Sequence, residues 1–198
     1  MKLPVFKIKL KASDESKQEV NYVALTDNPA IEMEWFAFDK NYKFSTDEKR
    51  QILTGVAMVA DMPIYRKGVV PGTDQQGEYY VVFDKEAIET SVMKFFRNKY
   101  TANFNFKHKS NQRTEQDDVY LFESIVVDPS RGVHAPEMFK GINPGSWIIS
   151  VKVESKETWD RIKSDGLMGF SVEGIFGLEY MATEDEKILQ AIADMTKG

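Results

Sequence analysis

The stretch GLMGFSVEG, residues 166–174, holds one hydroxyl, Ser171, between Phe170 and Val172 in a segment that otherwise reads as a buried strand. A serine becomes a nucleophile when a base within hydrogen-bond reach takes its proton and a third group orients that base. The chain has only two histidines, His108 and His134. His108 lies in NFNFKHK beside two phenylalanines, where a facing strand can bring it to Ser171, whereas His134 sits in VHAPE, a loop in which a solvated imidazole is the default. Two acids compete for the orienting role. Glu173 follows Ser171 by two residues and so shares its strand face, roughly 7 Å away along the strand. Glu123, in LFESIVV, is an acid inside an apolar strand and needs a partner there, which a lysine could equally provide. Each residue also has a plain structural reading: a serine filling a cross-strand gap, a satisfied histidine, an ion-paired acid. Gly169 and Gly174 either let backbone N–H groups approach a substrate or relieve crowding at a bend.

Other chemistry has less support. Glu115, Asp117 and Asp118 cluster like divalent-ion ligands, but without a glycine-kinked ligand pattern they read as a solvated loop. No Walker loop or dinucleotide fingerprint occurs, so no cofactor and no metal is expected. With no cysteine, disulfides, thiolate nucleophiles and thiolate metal sites are excluded. A net charge of -5 without a long Lys/Arg block argues against a nucleic-acid groove and for a protein or peptide partner. No apolar run approaches the ~20 residues of a spanning helix, and the N-terminus alternates Lys with apolar residues instead of forming an h-region. A cytoplasmic protein without a membrane partner is expected.

Strands must position these side chains. Residues 1–12 alternate as an edge strand, VNYVALT is a short apolar segment leading to a turn at Asn28-Pro29, and EWFAFDKNYKF suggests a second strand pair. Ile52 to Ala60 reads as a strand with a loop around Pro63 and Arg66, and Tyr79 to Asp84 as another strand. Lys85 to Lys99 carries apolar residues at 88, 92, 95 and 96, one helix face, with Asp84 as cap. Phe104, Phe106 and His108 share a strand face opposite Asn103, Asn105 and Lys107, and this strand is expected to form a hairpin with Val119 to Asp128. Residues 129–146 read as a long loop that either folds over a site or moves freely, and 146–153 as a strand. SKETWDRIKSDG reads as a helix capped by Ser155, burying Trp159 and Ile162 and stopping at Gly166. The Ser171 strand continues through IFGLEYM, and residues 183–197 form an amphipathic helix. The sum is an α+β fold, a small antiparallel β-barrel-like core with two or three peripheral helices. One domain spans residues 1–181, with its core at about 50–180 and N-terminal strands within 1–45; a helical tail, 182–198, follows.

Taken together, NFNFKHK, YLFESIVVD and PGSWIISVKVESKETWDRIKSDGLMGFSVEG resemble the tailed-phage prohead (procapsid maturation) serine proteases, most closely the XkdF-like branch of the clan that includes the herpesvirus assemblins. The resemblance covers roughly residues 50–180 and is densest from Trp147 to Gly174. It implies an assemblin-like fold and a serine endopeptidase that cleaves scaffold, capsid protein or both, and in many members itself, inside the procapsid in the host cytoplasm. The implied partners are scaffold and major capsid proteins, with the enzyme a homo-oligomer. The family's nucleophile falls on Ser171 and its histidine on His108. Its third member commonly follows on a later strand, but here an acidic helix follows Tyr180, so Glu173 or Glu123 takes that place or the enzyme works as a dyad. A non-catalytic capsid-assembly or scaffold-binding module on the same fold is the competing expectation.

Overall fold

The computed structural model describes residues 3–10, 18–27, 43, 45–115 and 117–181. The turns expected at 13–17 and Asn28-Pro29, the strands expected in the aromatic segment 34–42 and the helix expected at 183–197 lie outside these residues.

Among the described residues, eleven strands and two α-helices follow one another: β1 (Val5–Lys9), β2 (Glu19–Thr26), β3 (Ser45–Asp47), β4 (Ile52–Met58), β5 (Pro63–Val69), β6 (Gln76–Val82), α1 (Lys85–Arg97), β7 (Phe104–Phe106), β8 (Val119–Val126), β9 (Trp147–Val153), α2 (Lys156–Ser164), β10 (Gly169–Ile175) and β11 (Gly177–Met181). The strands form three open sheets, ordered β11-β1-β6-β5, β10-β2-β7 and β3-β4-β9-β8. A strand-rich α+β domain is what the sequence predicts. The closed antiparallel barrel is not found: β1 pairs with β6 in parallel, β2 pairs with β7 in parallel, and no ladder joins β10 to β4 although they run side by side. Parallel partners need long connections, and 66 residues separate β1 from β6 and 77 separate β2 from β7.

Several element assignments change. β1 is not an edge strand; it lies between β11 and β6. β2, read as a short apolar segment, is the centre of its sheet, with Val20, Val23, Ala24 and Leu25 fully buried. Pro63 to Arg66 belong to a strand, not a loop, with proline in its first position where no ladder donor is lost. The expected hairpin between β7 and the Val119 strand does not form. β7 instead folds back on its own loop, where Asn105 bridges Arg113, while β8 pairs with β9.

The helices follow their local signals. Asp84 accepts from the Ala87 N–H at 2.7 Å to cap α1, which buries Ile88, Val92 and Phe95 but leaves Phe96 outward. Ser155 caps α2 through the Thr158 N–H at 3.1 Å, and Gly166 adopts φ +64 beyond its end. Asp118 reinforces this cap, accepting from the Ser155 N–H at 2.7 Å and from the Thr158 hydroxyl, so this member of the acidic cluster serves a helix start. Burial works against ionisation of Asp118, but these donors together hold its carboxyl below the usual range.

The main core gathers Trp147, Ile149, Val151 and Val153 from one face of β9 with Leu25, Phe95, Phe104 and Phe170. The opposite face of that sheet is covered by the 129–146 segment: Phe139 and Ile142 pack on Val56 and Ile148. That segment is therefore anchored on the third sheet, with Lys85 of α1 reaching Asp128 at 3.7 Å. No helix among the described residues is long and apolar enough to cross a membrane.

Candidate active site

Ser171, Ala24 and Asn105 are partners across the three strands β10, β2 and β7. Cross-strand partners project to the same face, so Ser171 and Asn105 share a surface about 10 Å apart with only the Ala24 methyl between them. Glu173, two residues on, shares that face. Just beyond it the ladder carries a bulge between Glu173 and Gly174, and a Cβ at Gly174 would lie 2.0 Å from the Glu19 carbonyl oxygen. Glycine is required there because β2 passes too close for any side chain.

His108 reaches the site by a route its sequence spacing does not suggest. It is not a strand residue on the Phe104–Phe106 face; β7 ends at Phe106 and the chain turns. Lys107 and His108 both adopt positive φ, 53° and 58°, and the Lys109 N–H closes the turn on the Phe106 carbonyl at 3.0 Å. Two consecutive non-glycine residues in the left-handed region are strained, and such strain clusters at functional sites. The turn is held by Lys107 Nζ on Asp27 at 2.6 Å, and by the Arg161 guanidinium 3.9 Å over the Phe106 ring. The result aims the His108 imidazole at Glu173, with Nδ1 2.9 Å from Oε1.

The same Glu173 oxygen accepts from Asn105 Nδ2 at 2.6 Å. Asn105 is fully buried, and its Oδ1 has no partner among the described residues. This asparagine is the site residue that sequence reasoning missed: the alternation in NFNF places it opposite the phenylalanines, but nothing local says what it meets there. With Nδ1 on a carboxylate, the imidazole has Nε2 as its proton-accepting nitrogen.

The structure brings Glu173 to His108 and does not bring Glu123. Glu123, on β8, accepts from the Ser150 hydroxyl at 2.5 Å, and Ser150 in turn lies 2.9 Å from the Thr54 hydroxyl. The partner of this strand acid is thus a serine and not the anticipated lysine. Ser171 is 3% exposed, and no hydrogen bond to its hydroxyl is found among the described residues, His108 included. His134 is exposed on the 129–146 segment. Among the described residues no group of three or more acids and histidines is arranged to hold a metal.

No curated protein and no solved structure matches the chain. A family model described as "Putative phage serine protease XkdF" matches residues 42–179, a span that contains Ser171, His108, Glu173 and Asn105, and the protein belongs to this phage serine protease family.

Proposed function

We propose that the protein is a serine endopeptidase of capsid maturation in which Ser171 is the nucleophile, His108 the general base and Glu173 the group that orients it. The observation that carries this reading is the 2.9 Å contact between His108 Nδ1 and Glu173 on the sheet face that Ser171 shares. His108 Nε2 takes the Ser171 proton, Oγ attacks the scissile carbonyl, and the same nitrogen returns the proton to the leaving amine. Glu173 fixes the tautomer and balances the imidazolium that forms. Asn105 holds the carboxylate from the buried side, a charge-assisted contact stronger than a neutral one. Apo enzymes commonly hold catalytic hydrogen bonds long and tighten them on substrate binding, which fits a Ser171 hydroxyl without a partner among the described residues.

The substrates in this reading are scaffold and capsid proteins and the protease's own chain, cleaved inside the procapsid by a homo-oligomer. A second reading, a capsid-assembly or scaffold-binding module without catalysis, draws on the burial of Ser171. Co-expression with the neighbouring scaffold and capsid proteins separates the two. Wild type beside Ser171→Ala and His108→Ala is read by intact mass spectrometry. Trimmed scaffold or trimmed protease with wild type alone supports the protease; intact chains in all three, where shells assemble, leave the binding module.

A further inference from the structure

A cavity of about 240 Å³ lies against Ser171. Two runs of three consecutive residues line it, Phe170-Ser171-Val172 and Ala57-Met58-Val59. Side chains along a strand alternate between faces, so a space that touches three in a row abuts the strand's edge. That edge is the unladdered side of β10, which faces β4. β4 packs along that edge, so the cavity lies between the two strands and touches the candidate nucleophile.

Its wall is mainly apolar, with aliphatic side chains such as Ile64 and Val81 beside aromatic ones such as Phe83 and Phe176. Arg66 is the only charged residue among those lining it; it is exposed and donates from Nη1 to the Tyr65 carbonyl at 2.9 Å, which places a cation at the mouth of an apolar space. Packed interiors leave few voids larger than a water molecule, and sites for drug-sized ligands begin at about 300 Å³. The volume here suits one side chain.

We propose that this cavity is the specificity pocket of the Ser171 site and takes an uncharged apolar side chain, of leucine to phenylalanine size, from the residue whose carbonyl is attacked. The inference rests on the serine-protease reading above and deepens it by naming the substrate class. The apolar wall cannot solvate a charge, and Arg66 repels a cationic side chain at the entrance. Ala57 lines the pocket on the β4 side.

Amino-acid diphenyl phosphonates bearing leucine, phenylalanine, lysine or glutamate side chains test this on the full chain, beside a small alkyl fluorophosphonate that needs no pocket. In each case the Ser171 Oγ–P bond forms, phenoxide or fluoride leaves, and the proton passes to His108; intact mass reads the adduct. The leucine and phenylalanine probes are expected to label at least about tenfold faster than the charged ones, the scale of discrimination that apolar pockets achieve. Ala57→Leu, filling the cavity, should slow the phenylalanine probe by about tenfold or more relative to the fluorophosphonate. Ile64→Val, a milder change that enlarges the space, should shift preference towards phenylalanine and keeps the test available if Ala57→Leu does not fold. Equal rates for all side chains, a preference for lysine or glutamate, or a preference untouched by both variants overturns the pocket while leaving the nucleophile in place. Folded wild type that resists even the fluorophosphonate brings down the protease reading and the pocket with it.

Discussion

Glu123 and Glu173 are both acids set within β-strands, and each has a serine close by, yet the fold gives them different partners. Glu123 meets the Ser150 hydroxyl directly, with Thr54 next in line across β4, β9 and β8. Glu173 meets an imidazole and an amide, and its serine lies two residues away on the same face. The first arrangement satisfies a carboxylate with a serine hydroxyl and brings no imidazole to it among the described residues. The second, among the same residues, gives the Ser171 hydroxyl no hydrogen bond and directs an imidazole towards the face it shares. What separates a structural acid from a catalytic candidate is thus the partner supplied by another strand, not the sequence around the acid.

The comparison breaks most sharply at the two serines. Ser171→Ala is expected to abolish processing of co-expressed scaffold, a fall of about 10³-fold or more in kcat/KM, whereas Ser150→Ala should leave cleavage within about threefold of wild type; equal losses would remove the distinction. The acids come next. Glu173→Gln should lower kcat by about 10²–10⁴-fold, because the amide no longer balances the imidazolium, while Glu123→Gln should change thermal stability by about 1 kcal/mol and spare kcat. Asn105→Ala sharpens the picture further: a carboxylate freed on its buried side should misplace His108, lowering kcat by about 10–100-fold with little change in KM. A merely structural asparagine would lower the melting temperature and leave the kcat of the folded fraction intact.

Two smaller effects report on the frame. Gly174→Ala places a Cβ against the Glu19 carbonyl and should destabilise by roughly 1–3 kcal/mol, read by denaturant unfolding. Asp128, hydrogen-bonded by Ser130 and paired with Arg131, has its carboxyl held down at about 2. A lowered folded-state value means its contribution is complete above the ordinary carboxylate range and is lost as pH falls through about 2. The melting-temperature gap between wild type and Asp128→Asn should therefore be full at pH 5 and close as pH falls towards 2, with no change in the site.

Legibility along the chain follows the range of the forces involved. Asp84 and Ser155 cap helices three residues away, Gly166 stops one, and Trp159 and Ile162 define a buried face; these are local relations and the sequence displays them. β1 reads as an edge strand and β2 as a short apolar segment because nothing within them says that β11 and β10 arrive much later in the chain to place them in sheet interiors. The pairing of Phe104–Phe106 is hidden for the same reason: adjacency favours a hairpin with Val119 to Asp128, but β2 supplies the ladder.

The candidate site divides along the same line. In the sequence, Ser171, His108 and a choice between Glu173 and Glu123 could be written down, because two histidines and no cysteine narrow the base and the family resemblance singles out Ser171 among the chain's serines. The contact of His108 with Glu173 and not with Glu123, the left-handed turn that aims His108, the amide of Asn105 beneath Glu173 and the cavity beside Ser171 are visible only in three dimensions. Composition limits which chemistry is possible, but hydrogen-bond distance between residues 65 and 68 positions apart is set by strand register, and register is fixed by the burial of whole sheets rather than by any short run of sequence.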